Sequence, residues 1–371
     1  MRDDLSVVRI IVFACVKCSL AMKGHPMRAM GKGLFAAAVA TVASVALAAC
    51  GTGASNAEST TDSDKATETT EGKPAEGAYT IAIAQIVTHA SLDASVEGFK
   101  TALADAGIDV VYEEFNANND QQLIPSIAAS IASINPDLVL AVSTPVAQGL
   151  AQTVTDIPIL FTAVTDPESA GLVETFDNPG GNISGTTDRN PVKEQLELIK
   201  EIVPEAKTVG VVYNPGEENS VVQVDWVKEE APGLGLEVVE AAVPESRDIQ
   251  QGVEALNADV IYLPTDNTVI SSMGSVLQVA EARGIPVFAA EGDSVENGAI
   301  ATYGISYYEL GYQTGEMAVR ILTEGADVST MSVESQDNLL LYLNTKAAER
   351  MSVVLPDSVL ERVQPETTYD K

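Results

Sequence analysis

From Tyr79 onward the chain alternates two hydrophobic rhythms. "YTIAIAQI" (79–86), "IDVVYEEFN" (108–116), "PDLVLAV" (136–142) and "IPILFTAV" (157–164) are apolar or alternating runs of strand length. Between them, "SLDASVEGFKTALADAG" puts Leu92, Val96, Phe99, Leu103 and Ala106 on one helical face and stops at Gly107, and "DQQLIPSIAASIASIN" follows with helical spacing. The same grammar resumes after Pro191 with helices over 192–203, 221–230 and 247–257 and a further one ending at Arg283, and strands over 207–214, 236–243, 258–264 and 285–290. Strand, helix and strand at this spacing require crossover connections, and hence parallel sheets covered on both faces. The expected fold class is α/β, with two doubly wound parallel-sheet lobes in series. Left over are a strand over 298–306, an amphipathic helix over 307–325 closed by Gly325, and a strand over 338–344. These are expected to cross back as a multi-strand hinge, giving one lobe from 79–189 plus 306–335 and the other from 190–305 plus 336–371.

The lobes echo each other in sequence. "PDLVLAVSTPVAQ" (136–148) is answered by "ADVIYLPTDNTVI" (258–270), so Asp137 matches Asp259, Ser143 matches Thr265 and Thr144 matches Asp266. Both stretches run from a buried strand into polar cap residues. Open parallel sheets bind ligands beyond the carboxyl ends of their strands, where helix N-termini present unpaired N–H groups. Thr144 is expected as an N-cap with Pro145 in the first turn, leaving the amides of Val146 and Ala147 open to the cleft. With the hydroxyls of Ser143 and Thr144, that nest suits a carboxylate. Thr165 and Asp166, before Pro167, repeat the cap-then-proline pattern but offer an acid, and Asp266 with Asn267 offers an acid and an amide from the opposite lobe. Anion donors facing carboxylates match a zwitterion. The same residue types are ordinary helix caps, and spacing alone leaves both roles open.

Composition narrows the chemistry. The 371 residues are 46% hydrophobic, which fits a folded chain of about two domains. A formal charge of −32 repels phosphate backbones and excludes nucleic-acid partners. Cys15 and Cys18 form a CxxC near the N-terminus with no second pair, and Cys50 is the only later cysteine. Beyond His25 the chain has one histidine, His89, too few for a histidine metal cluster. No GxSxG, HExxH or phosphate-loop motif occurs, and "PGG" at 179–181 reads as a turn. The expectation is a binder rather than an enzyme, without cofactor or metal.

The N-terminal 49 residues hold basic positions from Lys23 to Lys32 and then an apolar, alanine-rich run of signal-peptide length, with the first 21 residues reading as a superfluous extension. The run ends in "LAAC", Leu47 to Cys50, followed by Gly51, which resembles the lipobox of bacterial lipoproteins. That resemblance implies cleavage before Cys50 and a diacylglycerol on its thiol. Residues 50–78, rich in Ser, Thr, Gly and Glu, bury too little apolar surface to fold and read as a flexible tether. The protein is therefore expected outside the cytoplasm, held to the membrane through Cys50 alone.

"AQIVTHASLDASVEGFKTAL", "STPVAQ", "FTAVTDPESAGLV", "NPGGNISGTTDRNPVKEQLELI", "YNPGEENS", "TDNTVISS" and "GISYYELGYQTGEMAVRIL" together resemble the substrate-binding lipoproteins of ABC importers, in the tryptophan and hydrophobic-amino-acid branch, over about residues 79–365. The resemblance implies a periplasmic-binding-protein fold of type I that closes on its ligand and hands it to a membrane permease driven by an ATPase. It places Gln85 and His89 beside the ligand, Ser143 and Thr144 on its carboxylate, and Asp266 on its ammonium, with Asp166 and Glu291 as competitors. Asn214, Glu218 and Asn219 are expected on the far wall and Asp188 at the first crossing, to lock the hinge or reach the ligand. Where relatives tend to carry a proline after the histidine and Gly-Asp after the second strand, this chain has Ala90 and "NANND". Tyr307 and Tyr308 open the helix beside the cleft, whereas Trp226 reads as a packing residue. A ligand-sensing surface receptor, a nucleoside or other small-solute binder, and a hydrolase or racemase are the alternatives weighed.

Overall fold

In a computed structural model of the chain, residues 77–336 and 338–370 are described, and the leader, Cys50 and the tether lie outside them. The first lobe runs β1 (Tyr79–Gln85), α1 (Ala90–Asp105), β2 (Val110–Asn116), α2 (Ile124–Ile134), β3 (Leu138–Val142), α3 (Thr144–Ala151), β4 (Ile159–Val164) and β5 (Ile183–Thr187). The second runs α4 (Val192–Ile202), β6 (Thr208–Tyr213), α5 (Glu218–Glu230), β7 (Glu237–Ala242), α6 (Ile249–Ala255), β8 (Val260–Leu263), α7 (Asn267–Ile270), α8 (Met273–Arg283), β9 (Val287–Ala289) and α9 (Gly292–Glu296). Then come β10 (Ala301–Gly304), α10 (Tyr307–Glu324), β11 (Glu334–Ser335) and β12 (Leu340–Asn344). After α11 (Thr345–Arg350) and α12 (Asp357–Leu360), the chain ends in β13 (Thr368–Tyr369).

The fold is α/β with wound parallel sheets. One sheet has the order β11-β5-β4-β3-β1-β2, the other β7-β6-β8-β9, and β10, β12 and β13 form a third. The stretch β2-β1-β3-β4 has the same winding as β7-β6-β8-β9. Its inner strands β3 and β4 are buried on both faces, which is why they read as continuous apolar runs, while β2 lies at the sheet edge and is partly exposed. The Asp137/Asp259 echo is structural: Asp137 accepts from the Thr80 amide at 2.7 Å and Asp259 from the Thr208 amide at 2.9 Å. Each ties the third strand of its lobe to the start of the first, at the end away from the cleft.

Two hydrophobic cores form. One gathers β1 to β5 with α10, and the other β6 to β9 with Leu341, Leu343 and Met351. The chain passes between them after Ile183, after Ala301 and after Val333. α10 therefore returns to the first core, against α1. There a Cβ on Gly98 would lie 2.0 Å from the Tyr308 carbonyl oxygen and one on Gly311 1.9 Å from that of Ser95, so these helix backbones approach as only glycine permits.

β5 escaped the sequence pattern. "ISGTT" is fully buried yet mostly polar, because its hydroxyls find partners: Ser184 donates to Met331 O at 2.7 Å, Thr186 meets Thr314 at 2.7 Å, and Thr187 donates to Thr165 O at 3.0 Å. Buried polar groups are tolerated when bonded, and hydropathy does not register that.

Candidate functional site

The carboxyl ends of the two sheets face one another across a narrow cleft. The first lobe contributes His89, Ser91 and Leu92 from the entry to α1, Ala163 from β4, Asp188 just after β5 and Tyr307 at the start of α10. Asn219, Thr265, Asn267, Ile270 and Glu291 come from the second. Ala163 has φ +56° and sits where the β4–β5 register shifts, a bulge that turns the end of β4 toward the cleft. Ser143, ending β3, has φ +91°. Two non-glycine residues in the left-handed half of backbone space at one strand rim mark a site held against local preference.

Five sealed side-chain atoms have no partner among the described residues: His89 Nδ1, Ser143 Oγ, Thr144 Oγ1, Asp188 Oδ1 and Asn219 Oδ1. Three belong to residues lining the cleft, and the other two sit at the end of β3. Buried polar atoms are normally bonded, so a cluster of orphans at one cleft calls for a guest. Asp188 is 2% exposed, and Tyr307 donates to its Oδ2 at 2.5 Å. Burial raises its pKa, opposed chiefly by the Tyr307 hydrogen bond. His89 is half-buried as a residue, but its Nδ1 is sealed; desolvation pushes the imidazole down to about 4 against the opposing bond to Asn267, so it is neutral at physiological pH. Glu291 caps α9 through the Ser294 amide at 3.0 Å and accepts from Ser91 of the other lobe at 2.9 Å; burial and the nearby Asp293 raise its pKa.

Several expected roles change. Asp266 does not line the cleft: its Oδ1 caps α7 through the Val269 amide at 2.8 Å, its Oδ2 takes the Asn214 amide at 2.5 Å, and burial followed by the Glu217 charge raises its pKa. No free oxygen remains for an ammonium. Asp166 holds the turn at Ser169 N, 3.0 Å, and pairs with Arg189 at 3.3 Å. Arg189 in turn stacks 4.6 Å from the Trp226 ring, which gives that tryptophan a partner. Gln85 ties down the entry to α1 through Val87 O at 2.7 Å and Asp93 at 2.8 Å. Thr165 meets Thr265 across the cleft at 3.3 Å. Glu218 is only half-buried, and the organising acid is its neighbour Glu217, 1% exposed. Asn214 faces the outer groove beside Asn118 and Asn119 rather than the cleft. The α3 cap is Ser143, not Thr144; the Ala147 amide is spent on Ser143 O at 3.0 Å, while both hydroxyls stay free. Ser91, Leu92, Ala163 and Ile270 carried no sequence signal beyond their place at strand and helix ends.

Two facing lobes, a small polar cleft between them and hydrogen bonds across its mouth define a solute receptor of the periplasmic-binding-protein kind. Residues 80–366 match the family of ABC transporter substrate binding proteins, and the chain belongs to it. It is 42% identical over 300 residues to a tyrosine-binding protein of Clostridioides difficile, covering 79% of this chain and 83% of that one. Among solved structures, an L-Trp complex from Streptococcus pneumoniae superposes with TM-score 0.76 at 33% identity, covering 79% of this chain and all of the other. A ligand-free, open substrate-binding protein from Clostridium difficile, 44% identical over 79% of this chain and 99% of its own, superposes at only 0.60. The better fit to the less identical, liganded relative agrees with the bonds spanning the cleft here: the lobes are closed.

Proposed function

We propose that this chain is an extracytoplasmic receptor for a zwitterionic aromatic amino acid, delivering it to an ABC permease and its ATPase. The five unpartnered buried polar atoms, three on residues lining the closed cleft and two at the end of β3, carry the reading. Asp188 Oδ1 takes the ligand's ammonium, the role first given to Asp266. Ser143 and Thr144, at the end of β3, donate to its carboxylate, with no lysine or arginine among the residues lining the cleft. Leu92, Ile270 and Tyr307 offer apolar surface to the side chain. The tyrosine-binding relative and the L-Trp complex support this ligand class. Three chain passages between the cores serve as the hinge. The one imidazole lining the cleft is neutral, and Glu291, which accepts from Ser91, is also engaged by the Ser294 amide as a helix cap, which favours binding over turnover.

A thermal-shift panel of L-Tyr, L-Trp, L-Phe, L-Leu and a purine nucleoside tests the assignment. At a hundredfold excess over Kd the cognate solute adds about 2.7 kcal/mol of stability. An unmoved melting temperature across all the amino acids overturns it. In the same reading a diacylglycerol on Cys50 anchors the receptor; Cys50→Ser should move it from the membrane to the soluble fraction, and a mutant that stays bound contradicts the lipid anchor.

A further inference from the structure

Glu217 lies behind the second-lobe wall and does not line the cleft. It receives six hydrogen bonds, from the Asn267 and Thr268 amides, both at 3.0 Å, the Thr268 hydroxyl at 2.7 Å, and the side-chain amides of Asn267 at 2.6 Å, Asn219 at 3.3 Å and Asn214 at 3.4 Å. Every partner is a donor, an arrangement that an ionised carboxylate satisfies in full. A carboxamide carries its oxygen and its NH₂ on opposite corners. Glu217 holds the Asn267 NH₂ at 2.6 Å, while that of Asn219 is held by the Thr265 carbonyl at 2.8 Å with Glu217 as a longer second partner, so the oxygens of both asparagines turn toward the cleft that they line.

We propose that Glu217 is a positioning residue that makes this wall a set of hydrogen-bond acceptors, and so selects a primary ammonium over neutral or anionic analogues of the same ligand. The proposal rests on the amino-acid reading above. Asn219 Oδ1 is sealed and unpartnered. Asn267, its NH₂ held by Glu217 at 2.6 Å, has its oxygen left for the imidazole of His89, which lines the same cleft. A neutral imidazole has one N–H. Spending it on Asn267 leaves His89 Nδ1 as a bare lone pair, and that atom is a second sealed orphan. Asp188 Oδ1, from the other lobe, is the third. Three orphan acceptors on one small cleft match the three N–H donors of a primary ammonium. A carboxylate or ether in its place would leave them buried and unpaired, the strongest basis for discrimination that polar sites have.

The test is calorimetric titration of the full chain, wild type and Glu217→Gln, with L-tyrosine, tyramine and 3-(4-hydroxyphenyl)propanoate. Wild type should favour L-tyrosine over the desamino acid by about a hundredfold or more, and Glu217→Gln should shrink that ratio by at least about tenfold, because its NH₂ lets Asn267 reverse and with it the tautomer of His89. A folded variant with the ratio unchanged overturns the proposal. Should Glu217→Gln fail to fold, Asn219→Ala replaces it: a loss for L-tyrosine and tyramine without loss for the desamino acid supports the proposal, and equal losses overturn it. If wild type binds none of the three, the amino-acid reading fails on its own. The ¹⁵N imidazole spectrum, assigned with His89→Gln, then decides the role of Glu217: the wild type should hold the tautomer with bare Nδ1 and the Gln variant a mixture, whereas identical spectra overturn it.

Discussion

At the residue scale the cleft is defined by what is unpaired. Asp188 stands with one oxygen bonded and one sealed and free, beside an imidazole that carries no charge. Asp188→Asn should cost about 2 to 5 kcal/mol of affinity for L-tyrosine, as truncating a buried charge pair does, and titration calorimetry reads it directly. A variant that binds normally would move the ammonium to Glu291. The pH dependence has a definite sign. In the ligand-free protein burial raises the pKa of Asp188, so its stability contribution is present below the usual carboxylate value and lost as pH rises through the folded one. His89 works the other way: with its folded pKa lowered from 6.5 to about 4, stability is full above the former and is lost as pH falls toward the latter. A bound ammonium favours ionised Asp188 and releases its proton, so affinity rises with pH through the ligand-free pKa of that group. The ligand-induced rise in melting temperature should be larger at about pH 8 than at about pH 5, and a constant rise would remove Asp188 from the ammonium.

At the element scale the first lobe is closed by a helix that arrives last. α10 reaches α1 through glycine contacts. Gly311→Ala should overpack this contact and cost about 1 to 3 kcal/mol in denaturant unfolding. Gly274→Ala, on the exposed face of α8 with open space around it, is the matched control and should be neutral or stabilising by up to about 1 kcal/mol. Equal effects at both sites would mean that helix propensity, not the close approach, decides. Arg189 joins elements differently, pairing with Asp166 of the first lobe and stacking on Trp226 of the second. Half-exposed as it is, that contact is worth only about 0.5 to 1 kcal/mol, enough to bias closure without locking it.

At the scale of the whole molecule the receptor is a pair of similarly wound sheets whose closed arrangement depends on bonds across the gap. Ser91 to Glu291, Thr165 to Thr265 and Asn119 to Thr268 span it at 2.9, 3.3 and 3.2 Å. Such thin contacts are easily exchanged for water, so a ligand that joins both walls should move the population from open to closed. Small-angle scattering should show a smaller radius of gyration on adding L-tyrosine, and an unchanged radius in the presence of bound ligand would exclude hinge closure.

The wound α/β architecture was legible along the chain because burying a strand on both faces demands an unbroken apolar run, and burying one side of a helix demands its own period. Asn267 could be named as a cleft residue because strand ends and the helix starts after them are where such sheets leave polar groups exposed to a ligand, and His89 and Glu291 through the resemblance to substrate-binding lipoproteins. The polar strand β5 and the division of labour among the acids could not be read this way. Asp166, Asp188, Glu217, Asp266 and Glu291 are alike in sequence. Only the folded neighbourhood decides which oxygens are consumed by backbone amides and which one is left, since hydrogen bonding is settled by direction and distance between residues remote in the chain.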